Sequence, residues 1–124
     1  MKYTTSLTKN HEFRRLYNKG KSAASQCVVV YCRRNRKTEN RLGITVSTKI
    51  GGAVQRNRVR RRLKEIYRLN EEKLTPGFDV VVVARVRSRY VSYSELETSV
   101  IYLFKKLNIM PGSNQGSYTK GDGA

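Results

Sequence analysis

At 124 residues the chain has the length of one domain, and an apolar fraction of 38% allows one modest core. Its charge is far from balanced: 26 Lys and Arg against 9 Asp and Glu give +17, well beyond what solubility requires, which points to a polyanionic partner. No apolar run is long enough to cross a bilayer, residues 1–15 hold no signal-peptide core, and there is no lipidation motif, so a cytoplasmic protein with no membrane partner is expected.

Residues 8–19 are expected to form a short helix, with Thr8 or Asn10 as cap, Phe13, Leu16 and Tyr17 on one face, and Gly20 as the stop. A strand at 26–33 is apolar on both faces, with Cys27, Val29 and Tyr31 alternating with Val28, Val30 and Cys32. The two cysteines then point to opposite faces and stay reduced. The charged stretch 33–41 reads as an exposed loop, and 41–47 as a half-buried strand with Leu42, Ile44 and Val46 toward one side.

After Gly51 and Gly52, residues 54–70 have the clearest helical phase in the chain, carried by Val59, Leu63, Ile66 and Tyr67. Pro76 and Gly77 turn into FDVVVVA at 78–84, a strand covered on both sides. The last helix, 94–107, opens on a Ser94–Glu97 capping box and buries Leu96, Val100, Leu103, Phe104 and Leu107. The order helix, strand, strand, helix, strand, helix indicates an α/β (α+β) two-layer sandwich with a sheet of at least three strands. Residues 1–108 are expected to form a single domain, followed by a disordered Gly- and Ser-rich tail at 109–124.

The charge concentrates on the second helix, where Arg56, Arg58, Arg60, Arg61, Arg62, Lys64 and Arg68 face a single acid, Glu65. At 100° per residue, Val59, Leu63 and Ile66 lie on one side, with Asn57, Arg61, Lys64 and Arg68 nearly opposite. This outward row is a cationic ridge roughly 16 Å long, enough to meet several phosphates. A solvated face would mix both signs, so polyanion binding is preferred. RNA is favoured over DNA, since no helix-turn-helix pattern or dimerisation heptad accompanies the ridge. The acids are scattered and His11, read as an exposed helix residue, is the only histidine, so neither a carboxylate metal site nor a catalytic residue is expected in the chain.

GGAVQRNRVRRRLKEIY, centred on Arg56, Asn57 and Arg58, resembles the signature of the bacterial ribonuclease P protein family. Other segments agree in order: Phe13 and Tyr17 on an early helix, Tyr31 in an apolar strand, Ser47, Lys49 and Gly51 ahead of the arginines, and a strand from Asp79 to Arg85. The resemblance covers roughly residues 3–107.

It implies a left-handed crossover through the arginine-rich helix, whereas the general rule for parallel strands gives a right-handed one. It also implies the protein subunit of an endoribonuclease holoenzyme that removes the 5′ leader of precursor tRNA, with wider substrate range. The chemistry would belong to the RNA subunit and to Mg²⁺ held mainly by that RNA.

The partners implied are the catalytic RNA, one protein per RNA, and precursor tRNA. Lys49, Arg56, Asn57, Arg58, Arg60, Arg61, Arg62, Lys64 and Arg68 would meet the catalytic RNA, with Asn57 either donating a directional hydrogen bond or holding the helix start in shape. Phe13, Tyr17, Val29 and Tyr31 would line a cleft for the single-stranded leader, although their spacing alone reads as core packing. The alternative is a structural ribosomal or ribosome-assembly RNA-binding protein, which shares the size and charge.

Overall fold

The structure is a computed structural model that describes residues 3–111. The chain runs β1 (Thr4–Ser6), α1 (Asn10–Lys19), β2 (Lys21–Ala24), β3 (Val28–Arg34), β4 (Asn40–Thr45), α2 (Ala53–Asn70), β5 (Phe78–Ala84) and α3 (Tyr93–Lys106). Five strands form one mixed sheet in the order β1-β4-β5-β3-β2, with β1, β4 and β5 parallel and β3 antiparallel to both β5 and β2. The central strands are the β-branched runs, as their double-sided apolar pattern requires. The two outer strands, TTS and KSAA, were not expected: they are short and polar, as edge strands commonly are, and carry no alternation to betray them.

Strand alternation builds two apolar layers. Val28, Val30, Cys32, Leu42, Val80, Val82 and Ala84 pack against Val59, Leu63, Ile66 and Tyr67 of α2 and Leu96, Val100, Leu103 and Phe104 of α3. Thus the expected sandwich is the sheet with α2 and α3. On the opposite face Val81 packs with Leu7 and Leu16, flanked by Phe13, Tyr31 and Val83, so α1 covers part of that side.

The hand of the crossover follows from the hydrogen bonds. Arg85 N–H reaches Cys27 O and Asn35 N–H reaches Gly77 O, both at 2.9 Å, so odd-numbered residues of β5 bond to β3 and even-numbered ones to β4. The even-numbered residues face α2. With α2 toward the viewer and β5 running upward, L-residues that face the viewer direct their backbone groups to the right, which puts β4 on the right of β5. The chain rises along β4, returns through α2 in front and moves left into β5, a left-handed crossover of the kind the resemblance implied and the general rule disfavours.

Local differences have local causes. Cys27 lies just ahead of β3, where Ser25 Oγ accepts the N–H groups of Cys27 and Val28 at 3.2 Å, and it packs in the same layer as Val28 and Cys32 instead of alternating with them. Both thiols are free and buried. At α1 the cap position falls on Lys9, which makes no side-chain capping bond, so neither Thr8 nor Asn10 serves. Helix α3 opens two residues early, because Ser92 accepts Glu95 N–H at 3.1 Å and an overlapping Ser-x-x-Glu outcompetes the expected one. Ile109 and Met110, assigned above to the tail, are buried, and Ile109 O accepts Thr75 N–H at 2.9 Å. The remainder of that expected tail, 112–124, lies outside the described residues.

One polar cluster ties α1 to the sheet. Arg41 in β4 donates to both oxygens of Asp79 in β5, at 2.8 and 2.7 Å, and its remaining arm pairs with Glu12 of α1. Burial raises the Glu12 carboxyl, but the hydrogen bond and positive charge of Arg41 outweigh it, leaving its pKa below the ordinary carboxylate range. An acid held lower in the folded state than in the unfolded chain stabilises the fold above its unfolded pKa, and that stabilisation is lost as pH falls through the folded value. Acidification should therefore loosen α1 ahead of the core, read as faster amide exchange along residues 10–19. Arg41→Ala should remove this pH dependence and lower the unfolding free energy by about 2 kcal/mol in urea titrations, because it strands two partly buried acids.

Candidate nucleic-acid interface

Helix α2 buries Val59, Leu63, Ile66 and Tyr67 and turns Asn57, Arg58, Arg60, Arg61, Lys64 and Arg68 to solvent, as its periodicity predicts. Tertiary contacts divide these cations. Arg68 is neutralised by Glu65, with two hydrogen bonds at 2.9 and 2.8 Å. Arg62 folds inward, donating to Val91 O at 3.1 Å and lying over the Tyr93 ring at 6.0 Å; burial and nearby Arg58 lower its pKa. Arg56 is half-buried, and its Nε, like Arg62 Nη1, has no acceptor among the described residues. Arg58, Arg60, Arg61 and Lys64 remain, exposed and without an acidic partner among the described residues.

Asn57 does not shape the helix start, which is capped at Gly52; its Oδ1 accepts Arg60 Nη1 at 3.1 Å and orients that guanidinium. Lys49 is exposed on a single 3-10 turn, Thr48–Ile50, ahead of α2. Sequence reasoning missed the turn after β5. There Arg89 donates to Ile50 O at 3.1 Å and lies 5.2 Å from the ring of Tyr90, which is 69% exposed, so another basic and aromatic segment flanks the entry to α2.

On the α1 face, Leu16 takes the core position and its neighbour Tyr17 stays 40% exposed. Tyr17 meets Tyr31 edge-on at 4.9 Å and Phe13 at 6.5 Å, while its hydroxyl is 3.4 Å from Thr45 Oγ1. Val29 lies on the same sheet face as Tyr31, half-buried beyond the cover of α1. The four predicted aromatic and aliphatic residues thus share one surface. A hollow of about 480 Å³ opens against Phe13, Tyr17 and Thr45, with Arg14 on its rim; Arg14 was missed although its helical spacing puts it beside Tyr17.

The two surfaces meet. Strand β1 pairs only with Asn40–Leu42, so the rest of β4 is an open edge, and a groove of about 350 Å³ runs along it, lined by Phe13 at one end and by Arg60 and Lys64 at the other. A family profile described as Ribonuclease P matches residues 1–108. The chain belongs to the bacterial ribonuclease P protein family.

The ribonuclease P protein component of Alkaliphilus oremlandii is 44% identical over 110 residues, covering 89% of this chain and 96% of that one. That of Clostridioides difficile is 44% identical over 107 residues, covering 86% and 94%. The ribonuclease P protein structure from Staphylococcus aureus superposes with a TM-score of 0.79 at 31% identity, covering 85% of this chain and 96% of that one. The structure from Thermotoga maritima gives 0.75 at 31% identity, covering 82% and 96%. The chain is accordingly a component of the ribonuclease P endoribonuclease, which acts in tRNA processing and has an RNA subunit as partner, and the ribosomal alternative falls away.

In this family member Gly43 lets Phe13 lie on the sheet: a Cβ there would be 2.6 Å from Phe13 Cε1 and 3.5 Å from Leu7 Cβ. Gly43→Ala should lift the Phe13 ring from its seat and cost about 1–3 kcal/mol of stability by overpacking, measured by chemical denaturation.

Proposed function

We propose that this subunit binds the catalytic RNA through α2 and holds the single-stranded 5′ leader of precursor tRNA in the aromatic cleft beside α1. The observation that carries the reading is the continuous groove from Phe13 to Arg60 and Lys64. A surface that joins stacking rings to unpaired cations suits a strand of variable sequence, because every base has a π-face and every linkage a phosphate. Arg58, Arg61 and Lys49 then supply counterion release and register on the catalytic RNA, with Arg60 and Lys64 at the boundary of the two contacts.

Hydrolysis of the phosphodiester is assigned to the RNA subunit and the Mg²⁺ it holds, in a cytoplasmic complex of one protein per RNA. Among the described residues no three His, Cys, Asp or Glu converge, and the neighbouring acids Glu12 and Asp79 are both engaged by Arg41, so these residues do not fit that ion. The protein's part is positioning and charge screening, which widens the range of leaders that can be processed.

The direct test is 5′ cleavage of a leader-bearing precursor at low Mg²⁺ by the catalytic RNA alone, by this protein alone and by both; efficient cleavage is expected only from the pair. Arg61→Ala should weaken binding to the catalytic RNA and reduce the slope of log affinity against log salt by about 0.7–0.9. Phe13→Ala should weaken leader-bearing precursor about tenfold and leave leaderless tRNA unchanged. Equal effects of Phe13→Ala on the two substrates would refute the cleft assignment.

A further inference from the structure

At the opposite end of the sheet, where β5 begins, Lys19, Lys21, Arg33 and Arg34 surround a hollow of about 340 Å³ whose floor is Cys32, Phe78 and Leu107. All four cations are exposed, and none is ion-paired among the described residues. Asp79, opposite Arg33 in the β3–β5 register, is already engaged by Arg41 and Asn35. Arg34 lies 5.2 Å from the half-buried Phe78 ring, so the lining includes a cation-backed aromatic platform.

Cations gather near helix C-termini to meet the dipole, and that accounts for Lys19 in the last turn of α1. It does not account for Lys21, Arg33 and Arg34, which stand on strands. Helix α3 ends beside the hollow, and the carbonyls of Leu103, Phe104 and Lys105 in its last turn accept N–H groups from Leu107, Ile109 and Asn108.

We infer that this hollow is a second single-stranded RNA subsite, which takes the upstream part of a long leader after it leaves the aromatic cleft. The inference rests on the cleft reading above. The route is short: Tyr17 belongs to the cleft and Lys19, two residues on, to the hollow; Tyr31 belongs to the cleft and Cys32 to the hollow floor. Between them lies only the outer edge strand β2, whose Lys21 pairs with Cys32. A strand passing Tyr17 rounds this edge with phosphates toward Lys19 and Lys21 and a base toward Arg34 and Phe78.

The test uses the reconstituted holoenzyme with precursors whose leaders have about four and about sixteen nucleotides. The wild type should bind the long leader more tightly. Lys21→Ala/Arg34→Ala should bind the short leader normally, lose about tenfold on the long one, and flatten its salt slope by about 1.4, at roughly 0.7 per contact for single strands. Lys21→Arg should retain the effect. No advantage of the long leader in the wild type, or an unchanged long-leader affinity in the double variant while Phe13→Ala still weakens the short leader, overturns the subsite and leaves the cleft reading standing. A Phe13→Ala variant with normal affinity for both leaders overturns the cleft reading, and this inference with it.

Discussion

In a chain with 26 cations and 9 acids, two of the acids converge on one guanidinium. Arg41 grips Asp79 bidentately across the parallel β4–β5 pair and reaches Glu12 from above, which pins α1 to one half of its sheet face. The other half keeps Val29, Val83 and Thr45 only half-buried. The cleft exists because α1 is anchored off-centre, and an ion pair sets that position more narrowly than apolar packing, which lacks direction. Gly43 completes the arrangement by letting Phe13 lie flat where a side chain would otherwise stand.

The parts legible in the sequence are those where one physical demand dominates. Val59, Leu63, Ile66 and Tyr67 repeat at helical spacing because one stripe of α2 must be buried, and FDVVVVA is apolar throughout because both its faces are covered. The short strands β1 and β2 answer to no such demand, since each pairs on one side only and carries polar residues. Ser92 and Ser94 both begin a Ser-x-x-Glu pattern, so the local pattern could not choose between them; in the fold it is Ser92 that accepts Glu95 N–H and opens the helix.

For the interface, a helical wheel identifies the outward cations, yet cannot say which are spent inside the protein. Arg62 is lost to a carbonyl 29 residues away, which nothing local announces. The Glu65–Arg68 pair, three residues apart, was readable. The aromatics were ambiguous for a different reason: Phe13, Leu16 and Tyr17 share one helix face, and only the sheet beneath decides that Leu16 is sealed while Tyr17 is open.

The left hand of the β4–α2–β5 crossover governs more than topology. With the same strand order and the same residues facing each way, a right-handed connection would have carried α2 across the side of the sheet that α1 now shares with open space. Eighteen residues of arginine-rich helix would then have roofed over Tyr17, Tyr31 and Val29, and the ridge and the rings would have competed for one surface. The rarer hand sends the charged helix to the far side and lets it meet the aromatics only around the rim at β1, so one small sheet presents a cationic and an aromatic surface back to back.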